Sequence, residues 1–349
     1  MSTANTLPVS ASSPLYIEDI GFYSSLGCGW EINGAAMMLG YNGRYDEVAR
    51  CALDRKVRGY RRLVSLLKDS IQEIDTKDIG HVLLCTSEPT RVGLIADIHL
   101  KQLSEALLDD EEIRQRIGGK PLSILNSGRA SLVYAFEKAN AVLNQDVDKV
   151  LVLFVDTYLM SGTLSALANP PYRERIPHKL RVLIPERNSD GFIPGEAVGG
   201  MIISRQAHNA DLKVLGTSIQ YESALIDTSD VLKGQALTAA YRQVSERAAT
   251  PLHECRYRMA SISGEQYFFK EAGLAQTRAL TQKTESQPLW LPASYIGETG
   301  ASVGLGMITM ARYANQRGMA PGAYVIAHCS NDDSARGAFI MEYTGERHG

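Results

Sequence analysis

LSILNSGRASLVYAFEKANAV, residues 122–142, joins a short apolar strand to a helix through the polar elbow Asn126-Ser127-Gly128-Arg129. The segment before the elbow reads as a buried strand. Beyond it, Leu132, Ala135, Phe136, Ala139, Val142 and Leu143 recur at helical spacing, so one face of that helix is apolar. Asn126 or Ser127 is placed to cap the first turn. A strand–elbow–helix junction brings free backbone N–H groups and the positive end of a helix to one point. Enzymes that store an acyl group on a side chain put the nucleophile there, because the helix end stabilises its anion. An ordinary strand-to-helix turn reads the same way, and the local sequence leaves both readings open.

On either side of this stretch, strand and helix patterns alternate. Tyr16–Tyr23 reads as a strand, Trp30 opens a helix, and Arg58–Ile74 is an amphipathic helix with Leu63, Leu66, Leu67, Ser70 and Ile74 along one side. His81–Cys85 and Lys149–Val155 (KVLVLFV) are continuous apolar runs, the pattern of strands covered on both faces. His99–Ile117 reads as one helix with a solvated acidic turn, Asp109-Asp110-Glu111-Glu112, and Pro170–Pro185 as a surface connection. In Asp190–Ser204 (DGFIPGEAVGGMIIS), glycines at 191, 195, 199 and 200 imply tight turns or closely approaching backbones before the strand Met201–Ile203. No Gly-Lys-Ser/Thr follows and no helix starts there, which speaks against a nucleotide loop.

The alternation then restarts. Lys213–Gln220 reads as a strand, Val231–Ala248 as a helix, Tyr257–Ser261 as a strand and Lys270–Thr281 as a helix. A second small-residue elbow, Pro292–Gly306, runs into a helix through Gln316, and Gly322–His328 and Ala338–Glu342 close the chain. Two such series predict an α/β protein with covered sheets and a duplicated plan. The expected divisions are an N-terminal arm over 1–14, a first half over 15–205 and a second over 206–349.

Composition sets wider bounds. At 349 residues the chain exceeds a typical single core. Hydrophobic residues at 44% and charged residues at 21% give a globular balance. A net charge of -3 offers no attraction to nucleic acid or an anionic membrane. Cys28, Cys51, Cys85, Cys255 and Cys329 are scattered without metal spacing, and their odd number fits a reducing compartment. MSTANTLPVSASSP lacks a basic-then-apolar leader, and no apolar run approaches the ~20 residues of a membrane span. The expectation is a cytoplasmic protein with neither metal nor cofactor.

DGFIPGEAVGG resembles the D-G-F-x-x-G-E-G-A-G segment of β-ketoacyl synthases, members of the thiolase superfamily. Gly297–Gly304 (GETGASVG) resembles their G-H-T-x-G-A-A-G segment, and Ser131–Asn140 (SLVYAFEKAN) the helix after their nucleophile. His328-Cys329-Ser330 lies where their C-terminal Asn-Ser loop enters. The likeness runs from about Tyr16 to Glu342. It implies a thiolase-like duplicated fold in five layers, α-β-α-β-α. It also implies a dimer formed through an edge strand of the first half, expected within Lys149–Thr157.

Ketosynthases hold the acyl chain on an elbow cysteine, and two histidines assist condensation. Matched residue by residue, the cysteine falls at Gly128, the first histidine at Ser261 of Ser261–Glu265, and the second at Glu298. Asn331–Arg336 replaces the family's last glycine-rich loop. Glycine carries no nucleophile. Ser127 has a hydroxyl but needs a positioned base, and none of His81, His99, His178, His208, His253, His328 and His348 falls in a family catalytic position. A carboxylate at 298 would repel an enolate. The resemblance therefore implies no catalytic residues and a vestigial pocket of Ser127, Arg129, Glu265 and His328. Arg129, Glu265 and Glu298 are placed to form an ion-paired plug. His328 stays a candidate base because it ends a strand beside the family's active-site loop, and Glu196 is expected to be structural.

Three functions follow. The first is a pseudoenzyme scaffold that binds a protein, of the type found in bacterial type VI secretion effector loci. The second is a chain-length-factor-like subunit of an active ketosynthase. The third is an acyltransferase or hydrolase with a replaced nucleophile such as Ser127. The expected assembly is a homo- or heterodimer.

Overall fold

A computed structural model describes residues 13–45, 47–54, 56–72, 74–145, 147–168, 190–206, 210–284 and 286–346. Residues 1–12, the Pro170–Pro185 connection, His178, His208 and His348 lie outside them. In chain order the elements are β1 (Leu15–Ser24), β2 (Gly27–Cys28), α1 (Trp30–Met38), β3 (Arg44–Tyr45), β4 (Val48–Ala49), α2 (Gly59–Ser70), β5 (Ile79–Thr86), α3 (Ala96–Asp109), α4 (Glu111–Ile117), β6 (Leu122–Asn126), α5 (Ser131–Leu143), β7 (Lys149–Thr157), α6 (Ser161–Ala168) and β8 (Glu196–Ser204). They continue as β9 (Leu212–Tyr221), α7 (Gln235–Arg247), β10 (Tyr257–Ala260), α8 (Gln266–Ala279), β11 (Leu289–Trp290), α9 (Ala293–Ile296), α10 (Val303–Gln316), β12 (Tyr324–Ser330) and β13 (Ala335–Tyr343). Single 3₁₀ turns at Gly128–Ala130 and Gly300–Ser302 lead into α5 and α10.

The strands repeat one plan. The order β6-β5-β7-β8-β1 in the first series becomes β11-β10-β12-β13-β9 in the second. In each set the first two pairings are parallel and the last two antiparallel. The sets join where Leu15–Ile17 of β1 pairs with Leu212–Val214 of β9.

Strand alternation then builds the layers. Val82, Leu84, Leu151 and Leu153 face outward onto Leu63, Leu66 and Leu67 of α2 and Leu103 of α3. Leu83, Cys85, Val152 and Phe154 face inward onto α5 and α10. Phe339 and Met341 reach the same central layer from the other sheet. Ile326, Ala338 and Ile340 face outward again, onto α7 and α8. The result is α-β-α-β-α, with α5 and α10 enclosed.

Four details differ from the sequence reading. His99–Ile117 is two helices, because the Asp110 carboxylate accepts the Ile113 amide at 3.1 Å and starts α4 as its N-cap. β8 starts at Glu196 and not at Met201, so Gly199 and Gly200 lie within it; of the two readings of these glycines the close backbone approach holds, since a β-carbon on Gly199 would meet the Gly21 carbonyl at 2.2 Å. β6 is not a buried strand: among the described residues it pairs only with β5, and Leu122 and Ile124 are 43% and 39% exposed. Lys149–Thr157 is not an edge. β7 is flanked by β5 and β8, and its apolar run is unbroken because helices cover both faces of the sheet there.

The central helices touch closely. A β-carbon on Gly304 of α10 would lie 2.6 Å from the Leu132 β-carbon of α5. Gly304→Val should therefore lower the unfolding free energy by about 1–3 kcal/mol through overpacking, read from urea denaturation.

Candidate functional site

Two elbows meet at the centre of the molecule. Gly128 opens the turn before α5 with φ +49°, and Gly300 opens the turn before α10 with φ +61°. Both sit in the left-handed region, which costs glycine nothing. Neither helix is capped by its own N-cap side chain, so Asn126 and Ser127 do not play that part. The amides find acceptors from distant segments instead. Ala130 donates to Asn331 Oδ1 at 3.1 Å, Gly300 to Glu298 Oε1 at 2.8 Å, and Ala301 to Asp156 Oδ2 at 2.8 Å. Carboxylates suit these positions because helix N-termini carry partial positive charge.

Arg91 lies between the elbows. Its Nε and Nη2 donate to the two Glu88 oxygens, both at 2.7 Å, and Nη1 and Nη2 donate to Asp156 at 3.3 and 3.0 Å. The guanidinium also lies 3.8 Å over the Tyr158 ring. A β-carbon on Gly128 would sit 2.1 Å from Glu88 Oε2, and one on Gly300 would sit 2.0 Å from Asp156 Oδ2. Carboxylate oxygens thus fill the volume a side chain at either elbow would need. Glu88 cannot swing aside without abandoning a two-pronged, charge-assisted contact.

Arg129 adds a second ion-paired group. Its Nη1 lies 3.4 Å from Glu265 Oε2 and 3.3 Å from Glu298 Oε2, while Nη2 donates to Asp332. The Phe268 ring lies beneath it at 4.6 Å. The structure therefore brings together Arg129, Glu265 and Glu298, beside Gly128. Ser127 is half-buried, and its carbonyl accepts from Asn331 Nδ2 at 2.8 Å. The Ser261 hydroxyl accepts the Ser330 amide at 3.1 Å and ties β10 to β12.

His328 is not part of this group. Strand parity sends Cys329 into the central layer, against Met307, and turns His328 to the outer face. There its Nδ1 lies 2.8 Å from the Tyr241 hydroxyl, and burial lowers its pKa to about 3. A buried, neutral histidine on the wrong face cannot act as base at the elbow. His99 is likewise held by Tyr60 and Thr86, at 2.9 and 3.0 Å. Glu196 accepts from Arg62 Nη2 at 2.7 Å and from the Cys51 amide at 3.0 Å, fastening α2 to the start of β8.

Five carboxylates (Glu88, Asp156, Glu265, Glu298 and Asp332) surround the two guanidiniums. Burial raises the carboxyls of Asp156 and Glu298 above their ordinary 3.8 and 4.5, and the neighbouring arginines offset this only in part. Burial works against the Arg129 cation, but Asp332, Glu298 and Glu265 outweigh it, so that guanidinium stays charged.

Sequence reasoning missed Glu88, Arg91 and Asp156. Their signal was available: each follows or ends a buried strand, where a charge must find a partner.

No protein-family model matches the chain, and no curated protein resembles it in sequence. Its fold has solved counterparts. A chain of the AntDE:AntF assembly, a type II PKS acyl-carrier protein in complex with its ketosynthase, superposes with a TM-score of 0.75 at 12% identity, covering 96% of this chain and 100% of that one. The ketosynthase ApeO in complex with its chain length factor ApeC, from Xenorhabdus doucetiae, gives 0.70 at 13% identity over 95% and 98%. The ketosynthase from module 6 of the bacillaene synthase of Bacillus subtilis 168 gives 0.71 at 12% identity over 95% and 72%. The fold is the thiolase-like fold of these ketosynthases.

The raised carboxyls make a pH prediction. A group whose folded pKa lies above its unfolded value stabilises at low pH, and that contribution is lost as pH rises through the folded pKa. Glu298→Gln keeps an acceptor for the Gly300 amide but carries no charge. It should therefore gain stability relative to the unaltered chain as pH rises from about 4.5 toward 8, measured by denaturant unfolding at each pH. A relative loss over that range would contradict the assignment.

Proposed function

We propose that this chain is a catalytically silent, ketosynthase-like scaffold that works by binding a protein. One observation carries the reading: the place for a side chain at Gly128, where ketosynthases hold their cysteine, is taken by the Glu88 carboxylate 2.1 Å away. The matched histidine positions hold Ser261 and Glu298, whose polar atoms are engaged in fixed internal contacts. On this reading the chain divides near residue 205 into two thiolase-like halves. Its setting on this reading is the cytoplasm, and its partner an effector of a type VI secretion locus.

A second reading is favoured by the company of the similar structures. Several are ketosynthases solved with a chain length factor or an acyl-carrier protein. By analogy, this chain would be the non-catalytic member of a pair. In either case the outer edge of β6, which pairs with no strand among the described residues and leaves Leu122 and Ile124 half exposed, offers backbone groups and apolar surface to a second copy or a related subunit. An enzyme with Ser127 as replacement nucleophile stands third, because Ser127 has no base against it among the described residues.

Two experiments test this. Incubation with acyl-CoA followed by intact mass should give no adduct, and Ser127→Ala should still capture the same protein partner. Gly128→Cys should lose about 2 kcal/mol or more from left-handed backbone strain and contact with Glu88, without gaining acyl transfer. An adduct on Ser127 would make the chain an enzyme. Second, light scattering of the chain as isolated should give a particle heavier than 38.2 kDa, and the pair Leu122→Glu and Ile124→Glu should return it to that mass. A 38.2 kDa particle in both cases would remove β6 as the interface.

A further inference from the structure

His328 lies in the outer layer of the second half, where α7 and α8 cover the sheet beside Ile326 and Ile340, and it is only 1% exposed. One of its ring nitrogens is engaged. Nδ1 lies 2.8 Å from the Tyr241 hydroxyl of α7, and the two rings meet edge to face with centroids 5.7 Å apart. Nε2 is buried and has no hydrogen-bond partner among the described residues, in either tautomer. Such an atom calls for a reason beyond packing.

The groups around His328 are poorly suited to a proton. Arg258 on β10 donates from Nε to the Gln287 carbonyl at 3.1 Å, and no carboxylate pairs with it among the described residues. Arg336 on β13 is fully buried. The α8 carboxylate Glu271 is taken by Arg336 Nε at 2.7 Å and by the Ser330 hydroxyl at 2.9 Å. Glu222 is taken by the Ala236 amide at the start of α7, at 3.2 Å. Tyr241, Tyr267 and Cys255 stay neutral, because burial pushes all three up, the last two to about 12. A proton on His328 would add a cation beside Arg258 and Arg336 and aim an N–H at no acceptor. Burial first, then those two arginines, hold its pKa at about 3, against 6.5 for an exposed imidazole.

We propose that His328 is an acid-sensitive latch that holds α7 on the second sheet. Neutral, it bonds to Tyr241 and the helix closes over it. Protonated, it is favoured in water, so acid populates the state in which α7 has lifted from β12. The sign follows from linkage. The folded pKa lies below the unfolded one, so the closed layer keeps this contribution above about pH 6.5 and loses it progressively as pH falls toward 3. The elbow carboxyls Asp156 and Glu298 are raised and respond with the opposite sign, which confines the loosening to the outer layer. The latch does not depend on whether the chain is an enzyme.

Hydrogen exchange of the α7 amides at pH 7.5 and pH 5, corrected for intrinsic rates, tests the proposal. Protection in α7 should fall about 30-fold between the two, the ratio set by exposing one imidazole of ordinary pKa on opening. Protection in α5 should not fall with it. In His328→Gln, which cannot titrate, α7 protection should change by about twofold at most over the same range. Undiminished α7 protection at pH 5 would overturn the proposal, as would an equal fall in α5 or an equal fall in His328→Gln. If that variant does not fold, imidazole nitrogen NMR of the unaltered chain decides: the 328 ring should show no titration between pH 8 and pH 5, and a midpoint near 6.5 would overturn the latch.

Discussion

The structure turns on one buried guanidinium. Two helix N-termini, at the openings of α5 and α10, converge on the centre of the molecule, and two like-signed helix ends need negative charge between them. Asp156 supplies it to Ala301, Glu298 to Gly300, and Arg91 binds Asp156 and Glu88 together across the gap. Remove Arg91 and two carboxylates are left buried against each other, a change that commonly costs about 3–5 kcal/mol. The glycines follow from this arrangement. Only a residue without a β-carbon leaves room for Glu88 at 128 and for Asp156 at 300.

The same geometry accounts for the proposed silence of the site. A ketosynthase-like elbow needs an empty volume above its helix end, where nucleophile and substrate carbonyl meet. Here that volume holds protein atoms tied by several charge-assisted contacts. Arg129 extends the fill toward Glu265, Glu298 and Asp332, and Asn331 clamps both sides of the elbow through the Ser127 carbonyl and the Ala130 amide. Asn331 and Asp332 belong to the segment Asn331–Arg336, which the sequence resemblance sets opposite the last glycine-rich loop of ketosynthases.

Much of this was legible in the sequence, for identifiable reasons. Helical periodicity after Ser131 and small residues around Gly300 marked both elbows. DGFIPGE and GETG read as fixed scaffold, and their backbones do pair: the Gly195 amide donates to the Glu298 carbonyl and the Glu298 amide to the Ile193 carbonyl. Arg129, Glu265 and Glu298 were grouped correctly because their matched positions surround one pocket. What escaped depends on information no local pattern holds. A short apolar run such as LSIL does not say how many neighbours a strand has, so β6 read as buried; the edge at β7 came from the resemblance and not from its sequence, which reads as covered on both faces. His328 was misplaced by strand parity, since one residue of phase decides which sheet face a side chain takes. Glu88 and Arg91, three residues apart after β5, offered a local charged pair that was passed over, and Asp156 at the end of β7 joins them only in the fold.

The central claim is that the space between the Gly128 and Gly300 elbows is filled by the protein itself. A crystal structure of the chain soaked with an acyl-pantetheine thioester tests this directly. The account predicts Glu88, Arg91 and Asp156 in unbroken contact, with no thioester between the elbows. A thioester carbonyl seated at Gly128, with Glu88 displaced from Arg91, would contradict it.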